Sequence, residues 1–210
     1  MNTSEQVAKI LLKLNAVTLN PEKPFKYASG ILSPVYTDCR VLMAYPDSRR
    51  VIRDFYIEAI KNSGVKFEVV AGTATAGIPH AAWIADKLDL PMVYVRGKAK
   101  DHGKENLMEG NLKPGQKAIV IEDLVSTGES AINSVNVIRA AGGEISYVFC
   151  IITYGMKKAE ENFKQNNLKL ISLTNFMDLV KEAEKSGYIK GSDISTILDW
   201  TKNPESWDKK

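Results

Sequence analysis

A chain of 210 residues with 44% apolar and 25% charged residues has the make-up of an ordinary globular protein, and one domain spanning residues 1–210 is the expectation. A net charge of +3 is too mild to argue for a nucleic-acid partner, though it suits small anionic ligands. The two cysteines, Cys39 and Cys150, lie far apart with no CxxC spacing, which suggests neither a zinc site nor a disulfide framework, and the longest apolar run, Tyr147 to Tyr154, is too short to cross a bilayer. With an N-terminus that lacks the charged-then-apolar order of a secretory signal, the expectation is a cytoplasmic protein with no membrane partner.

In chain order, Thr3 and Gln6 have the spacing of a capping box, and Val7, Ile10, Leu11 and Leu14 fall on one face of an opening helix. Prolines, glycines and short β-prone pieces from Asn20 to Met43 read as a hairpin hood, with hood elements over about 15–43. Asp47 precedes a helix whose Ile52, Phe55, Tyr56, Ala59 and Ile60 keep a 3.6-residue period until Gly64 stops it. Then "FEVVAG", "MVYV", "KAIVIED" and "ISYVFCIITY" follow as short, β-branched, almost continuously apolar runs with helical stretches between several of them. That is the pattern of an α/β fold with an open, mainly parallel sheet covered by helices on both faces. The polar stretch Gly97 to Gln116 is far longer than a link between two strands requires, and loops of that length are commonly functional. The tail, with Trp200 and Trp207, is expected to dock a last helix on the body.

Chemistry gathers in "EDLVSTGES", residues 122–130. An open parallel sheet binds ligands beyond the carboxyl ends of its strands, which is where Glu122 and Asp123 fall. Ser126, Thr127 and Ser130 then supply hydroxyls, and Gly128 lets the backbone turn so that successive N–H groups meet an anion at a helix start. One acid there would read as a helix cap, whereas two beside a phosphate cradle suit a phosphorylated sugar whose vicinal diol they accept. After "FEVV", the small residues of "GTATAGIP" let the N–H groups of Thr75, Ala76 and Gly77 form an anion-binding nest, and His80 reads as a helix-start residue with no catalytic part. No GxGxxG is present, and "GTATAGIP" lacks the Lys-Ser/Thr of a P-loop.

The apolar strand, acid pair, two apolar residues and S-T-G-x-S together resemble the phosphoribosyl pyrophosphate signature of the type I phosphoribosyltransferases. "FKYASGILSPVYTDCR", "GTATAGIP" and "VRGKAKDHGKENLMEG" resemble the orotate-using branch of that family. The resemblance implies that residues 122 to 130, with Leu124, Val125 and Glu129 among them, bind phosphoribosyl pyrophosphate, and that Ser126 hydrogen-bonds orotate. It further implies that Arg96, Lys100 and His102 serve a mobile catalytic loop, residues 97–111, that reaches the pyrophosphate of a neighbouring subunit in a homodimer. Lys100, His102 and Asp123 are the catalytic residues so implied. Mg²⁺ is the implied cofactor, held by substrate and water with no direct protein ligand. Ala28 and Tyr154 stand where relatives often carry basic residues, and Glu129 replaces a frequent glycine, so its side chain must point away from the phosphate.

The reading that follows is transfer of a phosphoribosyl group to orotate, giving orotidine 5'-monophosphate and pyrophosphate. A purine phosphoribosyltransferase is the nearest alternative enzyme, and a non-catalytic sensor of phosphoribosyl pyrophosphate on the same fold is the alternative of another class. The hood text argues against the first, and the retained Arg96, Lys100 and His102 against the second.

Overall fold

The computed structural model describes residues 2–26, 30–97 and 107–207. It opens with α1 (Thr3–Lys13), whose N-terminus is capped one residue earlier than the Thr3 and Gln6 spacing suggests. The Asn2 side chain accepts from Glu5 N at 2.9 Å and the Glu5 side chain accepts from Asn2 N at 3.1 Å. Asparagine caps as well as threonine, so two overlapping boxes competed and the outer one formed.

The hood is two small antiparallel pairs: β1 (Val17–Leu19) with β4 (Val35–Thr37), and β2 (Phe25–Lys26) with β3 (Leu32–Ser33). A 3₁₀ turn, Cys39–Ala44, leads to α2 (Pro46–Ser63), which starts with proline in its first turn and ends at Gly64 in the left-handed conformation.

The body alternates strand and helix through β5 (Val69–Thr73), α3 (Gly77–Leu88), β6 (Met92–Val95), β7 (Met108–Glu109), β8 (Lys117–Val125), α4 (Glu129–Ala140), β9 (Glu144–Thr153), α5 (Lys157–Gln165), β10 (Lys169–Asn175), α6 (Phe176–Lys185) and α7 (Ile194–Lys202). Six strands make one sheet in the order β10-β9-β8-β5-β6-β7, parallel except for β7, which returns antiparallel along β6. The stretch 97–111 is therefore not loop throughout: Arg96 N donates to Leu107 O at 2.7 Å, and Tyr94 pairs with Glu109.

Alternation along the central strands splits the core in two. Val70, Ile119, Ile121, Phe149 and Ile151 face α1, α2, α3, α6 and α7. Val69, Ala71, Ala118, Val120, Val148 and Cys150 face α4 and α5. Both faces are covered, which leaves the strand ends as the place for polar chemistry. One polar tie runs deep: the Tyr56 hydroxyl on α2 donates to Glu122 O at 2.6 Å and fixes the end of β8.

Candidate active site

The two acids at the end of β8 line one cleft but differ in burial. Glu122 turns toward α4, where it is 4% exposed. Its Oε2 accepts from the Ser130 hydroxyl at 2.9 Å and its Oε1 from Asp123 N at 3.0 Å. Burial, with the Asp123 charge beside it, pushes the Glu122 carboxyl well above the usual carboxylate range. Asp123 is half-buried and lines, together with Glu122, a cleft of about 310 Å³ that Thr37, Asp38, Arg40, Thr75 and Ala76 also wall. Asp38 is gripped there by Arg40, whose Nε and Nη2 donate at 2.6 Å and 2.9 Å, and this grip lowers the Asp38 carboxyl.

Neither acid caps α4. The N-cap is Gly128 at φ +82°, which has no side chain to cap with, and Glu122 reaches the first turn only through the Ser130 hydroxyl. The turn from Ser126 to Ser130 is instead braced from behind. Asn162 Nδ2 donates to Thr127 O at 3.0 Å, Thr153 Oγ1 to Val125 O at 3.2 Å, and Tyr154 N to Val125 O at 3.0 Å. A Cβ on Gly128 would meet the Phe163 ring at 2.6 Å, so the turn lies directly on α5. Glu129 pairs outward with Lys158 at 3.0 Å, which leaves the cradle to backbone N–H groups. Val125 is buried and Leu124 lines the Asp123 cleft, so these two contribute position more than polar chemistry.

Behind the cleft, the turn after β5 includes a cis peptide between Ala74 and Thr75. Thr75 and Ala76 line the cleft, while Gly77 is packing: a Cβ there would lie 2.5 Å from Ile121 O. His80, one turn into α3, is 2% exposed and lies against Trp83 and Tyr56, and burial lowers it from 6.5 to about 4. It is a neutral core histidine away from the clefts.

Arg96 sits at the end of β6, where its Nη1 donates to Glu109 at 3.3 Å. It lines a cleft of about 390 Å³ in its own chain with Thr73, Ala74, Ser130 and Asn133. Lys100 and His102 lie outside the described residues. Ser126 and Thr127 open instead on a third cleft, of about 360 Å³, walled by Ile31, Tyr154, Met156, Trp200 and Lys202. Here Tyr154 donates to Thr37 Oγ1 at 2.9 Å, and Trp200 Nε1 donates to Leu32 O at 3.1 Å.

Sequence reasoning missed this C-terminal wall and the hood's Thr37, Asp38 and Arg40. The two tryptophans of the tail were the available signal. Among the described residues, no group of three or more His, Cys, Asp or Glu side chains is arranged to hold a metal ion.

A model of the phosphoribosyl transferase domain matches residues 42–182. The chain is 48% identical over 209 residues to an orotate phosphoribosyltransferase of Listeria monocytogenes, covering 100% of both chains, and 45% identical to one of Coxiella burnetii, covering 99% of both. Among solved structures, the orotate phosphoribosyltransferase of Aeropyrum pernix superposes with a TM-score of 0.71 at 30% identity, over 86% of this chain and 99% of that one. The UMP synthase of Leishmania donovani superposes with a TM-score of 0.79 at 26% identity over 93% of this chain, which spans 42% of that longer protein.

Proposed function

The chain belongs to the phosphoribosyl transferase family, and from that premise we infer that it transfers the phosphoribosyl group of 5-phosphoribosyl 1-pyrophosphate to orotate. The products are orotidine 5'-monophosphate and pyrophosphate, a step of pyrimidine biosynthesis. The observation that carries the reading is the half-exposed Asp123 at the end of β8, followed by a turn that passes through Gly128 in the left-handed conformation into the start of α4. A carboxylate suited to a diol stands next to N–H groups suited to a phosphate.

In this reading Asp123 accepts hydrogen bonds from the ribose hydroxyls, while the backbone of Ser126 to Ser130 takes the 5'-phosphate. Glu122 works from behind, holding Ser130 and through it the first turn of α4. The N–H groups of Thr75, Ala76 and Gly77 face the diphosphate, and the base enters at Ser126. Orotate N1, having lost its proton, attacks the ribose C1 as the C1–O bond to pyrophosphate breaks. Negative charge then collects on the leaving group, and preorganised cations stabilise it. Arg96 is suited to that task, and we assign the same task to Lys100 and His102 on a closing loop, with His102 able to donate a proton to the departing oxygens.

The site also suits Mg²⁺, since Asp123 and the substrate's phosphate and hydroxyl groups are hard oxygen donors. The ion would be held mainly by substrate and water, with Asp123 the acid facing it, and when bound it neutralises the diphosphate. A homodimer fits the exposed Tyr36, Met43, Tyr45 and Val51 on the hood and the start of α2, beside the cleft that Thr37, Asp38 and Arg40 line. Across such an interface the loop of one protomer serves its partner's site. The buried free thiols Cys39 and Cys150 fit a reducing compartment, which supports a cytoplasmic placement, and no described helix is long and apolar enough to cross a membrane.

Incubation with phosphoribosyl pyrophosphate, Mg²⁺ and each base in turn tests the reading. Orotate is consumed, whereas hypoxanthine, guanine and adenine are not. Purine nucleotide formed at a comparable rate refutes it, because a site built for a carboxylate rejects bases that lack one.

A further inference from the structure

We infer that Lys202, at the end of α7, is the cation that receives the orotate carboxylate; this rests on the reading that orotate is the acceptor. A carboxylate entering a partly apolar cleft loses its water and needs a positive partner there. The attacking N1 must lie beside the ribose held at Asp123, so the ring occupies the cleft that adjoins it at Ser126 and Thr127. The flat and apolar walls of that cleft, Ile31, Tyr154, Met156 and Trp200, suit a pyrimidine.

Among the described residues, the cations that line this cleft are Lys157, Lys158 and Lys202. Lys158 is engaged with Glu129 at 3.0 Å, on the first turn of α4 beside the phosphate turn. The side chain of Lys157 is 87% exposed and its ammonium is turned toward Glu161 on its own helix. Lys202 is paired as well, with Asp199 at 2.8 Å, so pairing does not separate the three; it differs in following closely on the buried Trp200, the flat wall of the cleft. Trp200, two residues earlier, is 1% exposed, bonds the hood carbonyl of Leu32 and packs edge-on against Tyr154 with ring centres 5.3 Å apart. Tyr154 brings a hydroxyl that donates to Thr37 and no positive charge.

The backbone of Lys202 is thereby fixed against the base position while its side chain can swing. At rest the ammonium donates to Asp199 Oδ1 at 2.8 Å, in a pair whose side chains are 76% and 47% exposed. Exposed pairs of this kind contribute little, so exchanging Asp199 for a substrate carboxylate costs little. Asp199 holds the cation at the mouth of the cleft, and orotate takes it over. A base without the carboxylate leaves the ammonium with Asp199.

Steady-state kinetics of Lys202→Ala, Lys202→Arg and Lys158→Ala, with both substrates varied, test the assignment. Loss of a charge-assisted hydrogen bond predicts that Lys202→Ala raises KM for orotate about ten-fold or more and leaves KM for phosphoribosyl pyrophosphate within about two-fold. Lys202→Arg restores most of the loss, and Lys158→Ala leaves the orotate KM in place. Inhibition by uracil, which has no carboxylate, is equal in the unaltered chain and Lys202→Ala; weaker inhibition of the variant means that the wall has collapsed, and overturns the assignment. An orotate KM unmoved in Lys202→Ala, or arginine failing to rescue it, overturns it as well. Those failures leave orotate as the acceptor, whereas absence of nucleotide from the unaltered, folded chain overturns the acceptor and the assignment together.

Discussion

Replacing His80 by leucine makes stability less sensitive to acid. His80 is 2% exposed, its Nδ1 has no hydrogen-bond partner among the described residues, and burial brings it from 6.5 to about 4. A base whose folded value is depressed stays neutral in the fold while the unfolded chain takes up a proton below 6.5. Its contribution is therefore intact above that pH and is lost as pH falls toward 4. The fall from 6.5 to about 4, at roughly 1.4 kcal/mol per pH unit, puts the full loss at about 3 kcal/mol, most of it gone by pH 4.5. Urea unfolding of both chains at pH 7.5, 6.5, 5.5 and 4.5 reads the difference directly. Carboxylates such as Asp38 titrate in both chains, so they cancel in the comparison. At pH 7.5 the leucine chain matches or exceeds the histidine chain, because it removes a buried nitrogen without a partner. Parallel curves for the two chains across this range would refute the reasoning, for they would mean that His80 takes up its proton in the folded state.

Two further outcomes follow from the site. Lys100→Ala and Asp123→Asn each abolish turnover alone, and a re-paired mixture of equal amounts regains about a quarter of wild-type activity if the loop acts across a two-fold dimer. Mass spectrometry of tagged chains establishes the hybrid, and hybrids without regained activity show that the loop serves its own chain. At the phosphate turn, Gly128→Ala raises KM for phosphoribosyl pyrophosphate about ten-fold, because alanine at φ +82° costs about 1 kcal/mol and its Cβ meets Phe163. Adding Phe163→Leu recovers part of the loss in steady-state assays and leaves the backbone cost, and full recovery would contradict the left-handed requirement.

The parts of the fold that could be read in the sequence are those whose signal is local. Continuous β-branched runs gave the buried parallel strands, and Gly64 ended α2 as its position promised. The strand-end acids and the turn after them lie within nine consecutive residues, so their spacing carries their chemistry. What stayed hidden depends on distant pairing. Met108 and Glu109 look like loop because a two-residue strand has no periodicity of its own; β6 makes them a strand. The bond from Trp200 to Leu32 spans 168 positions, and nothing near either residue announces it. The difference in burial between Glu122 and Asp123 is likewise hidden, because it depends on α4 and the Ser130 hydroxyl closing over Glu122.

The contact of Gly77 with β8 makes the site a caliper. With no room for a Cβ between α3 and Ile121 O, the turn after β5 and the strand carrying Asp123 are locked backbone against backbone, and the gap between these two jaws is set by the fold. A ligand that spans the gap meets both jaws without bending the protein, whereas one that lacks either its diol or its diphosphate meets a single jaw. The spacing of the two jaws is therefore a property of the backbone packing and is in place before any ligand arrives.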